Sequence, residues 1–377
     1  MMYGELGASR TKRTVTGMAR LLKALRLDGM LLSGLAGVSL FGLFVLYSAA
    51  GDNTALWFSQ LARVGIGFTL MIVLAHVPDH FLRMLSPAAW AVGIVLLAIV
   101  AVAGDIGKGA QRWLDLGVIR FQPSEILKLA VPMMCAWYLH QRPLPPSLRD
   151  IAVVLLIVAV PVGLIAEQPD LGTALLVAAA GIIVLVLAGL SWRYVLGGAV
   201  VFGAAVPVIW HFMHDYQRQR VMTLLDPESD ALGSGYHIIQ SQIAIGSGGV
   251  FGKGWMNGSQ AQLEFLPERS TDFIFAVIGE ELGLLGLTAL LAAYLFIVGR
   301  GIYMSLQCRD AFSRLLAGSI ALTFFVYAFV NAGMVMGLLP VVGVPLPLVS
   351  YGGTSFVTLM AGFGILMSLH SSRKLVG

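Results

Sequence analysis

Charge is scarce in this chain. Of 377 residues only 12% are Asp, Glu, Lys or Arg, and 58% are hydrophobic. A soluble domain carries about 25% charged residues. The deficit runs along the whole length, and the mean hydropathy is +0.84. Both exclude an ordinary water-soluble globule. Apolar runs of about 20 residues recur, the length of a helical span and not of the ~10-residue strands of a barrel. Cysteine is scarcer still. Cys135 falls in an apolar run and Cys308 in a short loop, which gives no disulfide framework and no metal spacing. The net charge is +4, but the basic residues form no single stripe, so nucleic-acid binding is a poor reading. The glycine-rich stretch has no Walker spacing. No small-residue cleavage pattern follows the basic N-terminus, SRTKRTVTGMARLLKALR. That end reads as the flank of an uncleaved signal anchor. No internal repeat is visible.

What is present is a set of ten apolar segments. They lie near 29–50, 55–76, 84–104, 123–140, 151–168, 172–190, 193–213, 272–299, 312–338 and 351–370. The pattern predicts an all-α polytopic membrane protein of about ten transmembrane helices. A large extracytoplasmic loop, 214–271, separates helices seven and eight. With the N-terminus inside, fifteen of the 24 Lys and Arg residues fall on the inner face and seven on the outer. Arg63 and Lys128 fall within spans. This bias places both termini in the cytoplasm. The expected organisation is a basic cytoplasmic segment 1–27, a membrane domain 28–371 and a cytoplasmic tail 372–377. The inner loops are short. The information-rich outer segments are 105–122 and 214–271, and loops on a rigid scaffold are where function tends to sit.

Several constellations allow two readings. Asp272 stands where the charged run LEFLPERST meets an apolar segment. It reads as a helix N-cap or as a catalytic carboxylate at the membrane border. Arg218, Arg220, Lys253 and Arg269 read as a pyrophosphate-binding set. The other reading pairs them with Asp226, Glu228, Asp230, Glu264 and Glu268. Glu125 and Lys128, at i,i+3, share one helix face. They form either a self-satisfied ion pair or the charged wall of an outward cavity. Asp170 reads first as an N-cap. Arg112 and Trp113 look like interface anchors, open to sugar or lipid contact. Tyr236 to Ile245 fits an amphipathic helix at the interface. The glycines from Gly246 to Gly254 form either a phosphate-cradling backbone or a flexible connector. Pro340, Pro345 and Pro347 forbid a continuous helix in PVVGVPLPLVSYGGTS. Asn331, polar within the ninth span, reads as an interhelical hydrogen-bond donor.

The stretch from Asn331 to Ser355 resembles the signature of the SEDS family (shape, elongation, division and sporulation proteins). KGAQRWLDLG, FQPSEILKLA, AEQPDLGTALL and GYHIIQSQIAIGSGG resemble further family blocks. The likeness covers nearly the whole chain. RWLDLGVIRFQPSE, MHDYQRQRV and FLPERSTDFIFAVIGEELG look more like the rod-shape branch than the division branch. The resemblance implies a peptidoglycan glycosyltransferase of the cytoplasmic (inner) membrane, working on the extracytoplasmic face. Its substrates would be lipid II and a glycan on polyprenyl pyrophosphate. Its partner would be a class B penicillin-binding protein, with membrane lipid around it and no nucleic acid. The family's essential carboxylate falls on Asp272.

On that footing an acceptor hydroxyl attacks the anomeric carbon with inversion, and Asp272 takes its proton. The leaving pyrophosphate needs positive charge. Arg218, Arg220, Lys253, Arg269 and Lys128 are candidates, and Glu125 and Arg112 complete the expected substrate-binding set. No cofactor is demanded. A divalent cation such as Mg2+ could share the task, although no ligand cluster calls for one. Two other classes stay open: a lipid II flippase, and a noncatalytic scaffold for a penicillin-binding protein.

Overall fold

The computed structural model describes residues 25–372, apart from 52, 108–109, 116–119, 231–232, 264 and 267. The basic segment to residue 24, Lys108, Glu264 and the tail from residue 373 lie outside the described residues. Long helices form at each of the ten apolar segments. They are α1 (Gly29–Ala50), α2 (Thr54–Ala75), α3 (Asp79–Ala103), α4 (Pro123–Leu139) and α5 (Leu148–Glu167). After these come α6 (Leu171–Leu187) and α7 (Trp192–Phe212). The outer loop adds α8 (Asp215–Leu225), a 3-10 turn (Pro227–Asp230), α9 (Ser234–Gly248) and α10 (Ser259–Gln262). The chain ends with α11 (Ile274–Leu306), α12 (Ala311–Val335) and α13 (Gly353–Ser371). Seven of these helices are long and apolar enough to cross a membrane.

Polar residues at the segment borders start the helices. Asp28, Asn53, Asp170 and Asp310 each accept a hydrogen bond from the backbone N–H three residues on. Ser147 and Asp150 form a reciprocal capping box on α5. Each cap satisfies a donor that the first helical turn leaves open.

The all-α expectation needs one amendment. Strands β1 (Asp105–Gly107), β2 (Ala110–Asp115) and β3 (Arg120–Phe121) form a small antiparallel sheet in the order β1-β2-β3. Helix α3 ends at Gly104, and α4 starts with Pro123 in its first position. Between those breakers, strand pairing gives the backbone its hydrogen bonds.

The eighth segment also differs from an uninterrupted span. Helix α11 breaks at Gly283, where φ is +65°. The chain after α9 splints the break. Lys253 N and Gly254 N donate to the carbonyls of Glu280 and Glu281, at 2.9 and 3.0 Å. Leu284 N and Leu285 N donate to the carbonyls of Gly249 and Val250, at 2.9 and 3.1 Å. Four groups orphaned by the break thus find partners, as a membrane interior requires. The close approach explains the glycines. A Cβ on Gly252 (φ +78°) would sit 2.2 Å from the Glu281 carbonyl oxygen. The glycine-rich stretch is therefore a backbone splint, and neither a phosphate cradle nor a loose connector.

Between α12 and α13 the proline-rich segment is irregular, and from Val344 to Ser350 it is buried except at Pro345. Asn331 Nδ2 donates to the Val344 carbonyl at 2.7 Å, and the Tyr294 hydroxyl donates to the Pro347 carbonyl at 2.7 Å. Alongside it, α13 packs against α2, with Phe356 and Met360 over Gly67 and Met71 against Gly364.

Gly252→Ala is expected to destabilise the protein, because strain of this kind costs about 1–3 kcal/mol. Gly37→Ala, where an added Cβ meets nothing within 4 Å, serves as the control. Thermal unfolding in detergent compares the two, and equal melting temperatures would refute the splint.

Candidate active site

Asp272 belongs to a turn, residues 268–273, that runs into α11. The N-cap position is Phe273, and no side chain caps the helix. The capping reading of Asp272 therefore falls. Within the turn, Thr271 N and Phe273 N donate to the Glu268 carbonyl, at 3.0 and 3.4 Å. Three bonds from outside pin it. Asn331 Nδ2 donates to the Asp272 carbonyl at 2.8 Å. The Ser350 hydroxyl donates to the Thr271 carbonyl at 2.5 Å. Tyr351 N donates to the Ser270 carbonyl at 2.8 Å. Asn331 is thus a donor, as the sequence suggested, but not between helices: both of its acceptors are backbone carbonyls outside any helix, in the turn and at Val344. The half-buried Asp272 carboxylate faces Gly343, with Oδ2 3.6 Å from where a Cβ there would sit.

Asp272 acts electrostatically on Arg220, and so do Arg112 and Asp170. Arg220, on α8, is half-buried, and its guanidinium sits 5.9 Å from the Tyr216 ring. Burial lowers its pKa from the ordinary value, and the like charge of Arg112 adds to that. Tyr216, Asp170 and Asp272 pull it back. Arginine stays protonated through shifts of this kind. Arg112, Tyr216, Asp170 and Asp272 are therefore all electrostatic neighbours of Arg220, and among the described residues no acceptor hydrogen-bonds the Arg220 guanidinium. Arg112, on β2, donates to the Gln168 carbonyl at 3.2 Å and to the Pro169 carbonyl. It braces the turn between α5 and α6. Asp170 caps α6 through Thr173 N at 3.2 Å, and its other oxygen accepts from Gln122 Nε2 at 2.8 Å.

Glu125 and Lys128 form a closed pair on α4. Lys128 Nζ lies 2.6 Å from Glu125 Oε1, and both side chains are buried. The Tyr327 ring is 5.3 Å from the ammonium. The second carboxylate oxygen, Glu125 Oε2, is sealed without a partner. The pair is thus self-satisfied on one side only.

The remaining basic candidates are occupied elsewhere. Arg218 donates to the Trp210 and His211 carbonyls, at 3.0 and 2.7 Å, and so closes the end of α7. Lys253 Nζ lies 2.7 Å from Glu280 Oε1, which also accepts from Gln260 N at 3.0 Å. Its partner is therefore not one of the acidic residues near it in the loop. Arg269 donates to the carbonyls of Ala49 and Ala261. With Asn53, Gln262 and Ser270 it lines a polar cavity of about 440 Å³. Among the described residues no three His, Cys, Asp or Glu side chains converge as a metal site.

Sequence reasoning passed over Gln122, Tyr216, Glu280 and Glu281. The last two were readable. Adjacent carboxylates inside the apolar run FIFAVIGEELG are costly unless engaged, and Glu281 accepts from the Ser48 hydroxyl at 2.5 Å.

Comparison with known proteins bears on the family and the overall fold. The family sequence model described as "Cell cycle protein" (FTSW_RODA_SPOVE) matches residues 29–375. The peptidoglycan glycosyltransferase MrdB of Escherichia coli (strain K12) is 52% identical over 351 residues, 93% of this chain and 95% of that protein. The crystal structure of the Thermus thermophilus rod shape determining protein RodA superimposes with a TM-score of 0.70 at 31% identity, covering 92% of this chain and 97% of that one. A chain from a structure on coordination of polymerization and crosslinking by a peptidoglycan synthase complex gives 0.82 at 34% identity, covering 92% and 98%. Family match, identity and superposition together place this chain in the FtsW, RodA and SpoVE family.

Proposed function

We propose that this chain is a peptidoglycan glycosyltransferase that polymerises lipid II on the outer face of the inner membrane, with Asp272 as the general base. The supporting observation is Asp272 itself, a carboxylate in a turn pinned at three points beside an uncommitted guanidinium. The names of the curated relatives support the reaction class.

The chemistry assigns separate tasks. The acceptor is lipid II, and the donor is a glycan strand on polyprenyl pyrophosphate. The acceptor hydroxyl oxygen bonds to the donor's anomeric carbon while that carbon's bond to the pyrophosphate oxygen breaks. The hydroxyl proton passes to Asp272, and the electron pair leaves on the lipid pyrophosphate. General base catalysis of this kind contributes about 10²–10⁴-fold. The leaving group needs fixed positive charge and no strong acid. Arg220 is the cation best suited, because it is half-buried and, among the described residues, has no hydrogen-bond acceptor of its own. Arg112 adds charge from its brace beside Asp170. Glu125 and Lys128, a buried pair on α4, are assigned to the substrate-binding set without a separate task. Arg218, Lys253 and Arg269 support the outer loop and act on substrate at second hand.

A class B penicillin-binding protein is the proposed partner. A chain from a structure titled as a peptidoglycan synthase complex supports this, since crosslinking must follow polymerisation.

Purified Asp272→Asn protein, supplied with labelled lipid II in detergent, is expected to lose at least about 10²-fold in polymer yield while keeping its melting temperature. A flippase or a scaffold predicts yield close to the parent protein. Arg220→Gln is expected to cut turnover more than Lys253→Gln, and Lys253→Gln to lower thermal stability more than Arg220→Gln; the reverse order would exchange their roles. The double variant Glu125→Gln with Lys128→Met is expected to be milder than either single change if the two act only as a pair. A loss exceeding the product of the single losses would give them separate roles.

A further inference from the structure

Arg63 is the charge that this mechanism leaves unexplained. It lies nine residues into α2, roughly 13 Å from the helix start at 1.5 Å per residue. Its neighbours Leu61 and Ile66 are exposed apolar side chains, as on a helix that meets lipid. Among the described residues no carboxylate pairs with Arg63. Its guanidinium carbon lies 4.4 Å from the centre of the Tyr351 ring, and its Nη1 is sealed without a hydrogen-bond partner. A cation at such depth is costly and marks function by default.

Three further observations surround it. Gln60, one turn earlier on α2, is buried and donates Nε2 to the Ser350 carbonyl at 3.3 Å. Its Oε1 is sealed without a partner. A sealed donor and a sealed acceptor thus lie one turn apart on α2. Next to Tyr351, the N-terminus of α13 is open: Gly352 gives no side-chain cap, and a Cβ on Gly353 would meet nothing within 4 Å. The first turn of a helix presents free N–H groups and positive potential.

We propose that Arg63, Gln60 and the start of α13 bind the phosphate of a polyprenyl-linked lipid, at an anion site separate from Arg220. Phosphate oxygens satisfy Arg63 and the helix N–H groups. A protonated phosphate oxygen, or one water held by it, satisfies Gln60 Oε1. The lipid source follows from the exposed apolar neighbours, which open the site toward the bilayer. The identity of the ligand rests on the lipid-pyrophosphate reaction above, in which donor and acceptor each carry such a group. The site itself does not depend on Asp272.

Native mass spectrometry of the full chain in detergent tests this with three probes: undecaprenyl phosphate, undecaprenol and inorganic pyrophosphate. The parent protein should bind undecaprenyl phosphate in two resolvable steps and undecaprenol in neither. Arg63→Gln should weaken one step on the order of tenfold, the scale of a hydrogen bond to a charged group. Arg63→Lys should keep most of the affinity, and Arg220→Gln should weaken the other step. Asp272→Asn should bind like the parent, so loss of its base role would leave this result standing. Removing an unpaired charge should not lower the melting temperature. Four results overturn the proposal: undiminished binding by Arg63→Gln, equal binding of undecaprenol, full competition by inorganic pyrophosphate at equal concentration, or a melting temperature for Arg63→Gln that falls with its binding.

Discussion

Inside a bilayer every backbone N–H and C=O needs a protein partner, and this constraint sets the position of Asp272, the carboxylate proposed as the base. The chain abandons helical bonding at two places: at Gly283 within α11, and between α12 and α13. The first gap is closed by the loop after α9. The second is closed by Asn331, Tyr294 and the turn before α11. That turn carries Asp272. The bonds that mend the irregular backbone also fix the carboxylate, so scaffold and site are one network. Such pre-positioning is what a general base requires, since a small displacement costs rate heavily.

The charged side chains sort by how many partners they already have. Asp28 and Arg300 form a two-pronged pair at 3.0 and 2.6 Å at the opposite end of α1 from the site. Lys253 and Glu280 lock the splinting loop onto α11. Arg218, Arg112 and Arg269 spend hydrogen bonds on carbonyls at the ends of helices and turns, where cations favour the helix dipole. Among the described residues, Arg220 and Arg63 are half-buried and have no hydrogen-bond acceptor. A buried charge is tolerated when it is paired and is expensive when it is not. The unmatched cations are therefore the ones to which an anionic substrate adds most.

The ten helices were legible because span length and border polarity are local properties. Asp170 as a cap was legible for the same reason, whereas Asn331 was legible as a donor but not as one that serves non-helical backbone. The break at Gly283 was not, since a lone glycine in an apolar run looks like any other until its partner loop is known. The glycines after α9 offered two local readings, and the long-range bonds to residues 280–285 supplied a third. Asp272 shows the same limit. As a residue at a helix border it looked like a cap, and only the observed helix start, with Phe273 at the N-cap position, removes that reading. The small sheet between α3 and α4 went unread because Gly104 and Pro123 mark where helices stop without saying what lies between. Arg218 and Arg220 are two residues apart, yet one closes α7 and the other faces the carboxylates. Spacing in the sequence carries no sign of that difference.

The most direct measurement is a structure of the Asp272→Asn protein with lipid II bound in a membrane mimetic. The account predicts the sugar hydroxyl within hydrogen-bond reach of residue 272, about 2.6–3.2 Å, and a pyrophosphate oxygen on the Arg220 guanidinium. A headgroup held at the cytoplasmic ends of the helices, or one whose hydroxyls all lie beyond reach of residue 272, would contradict it.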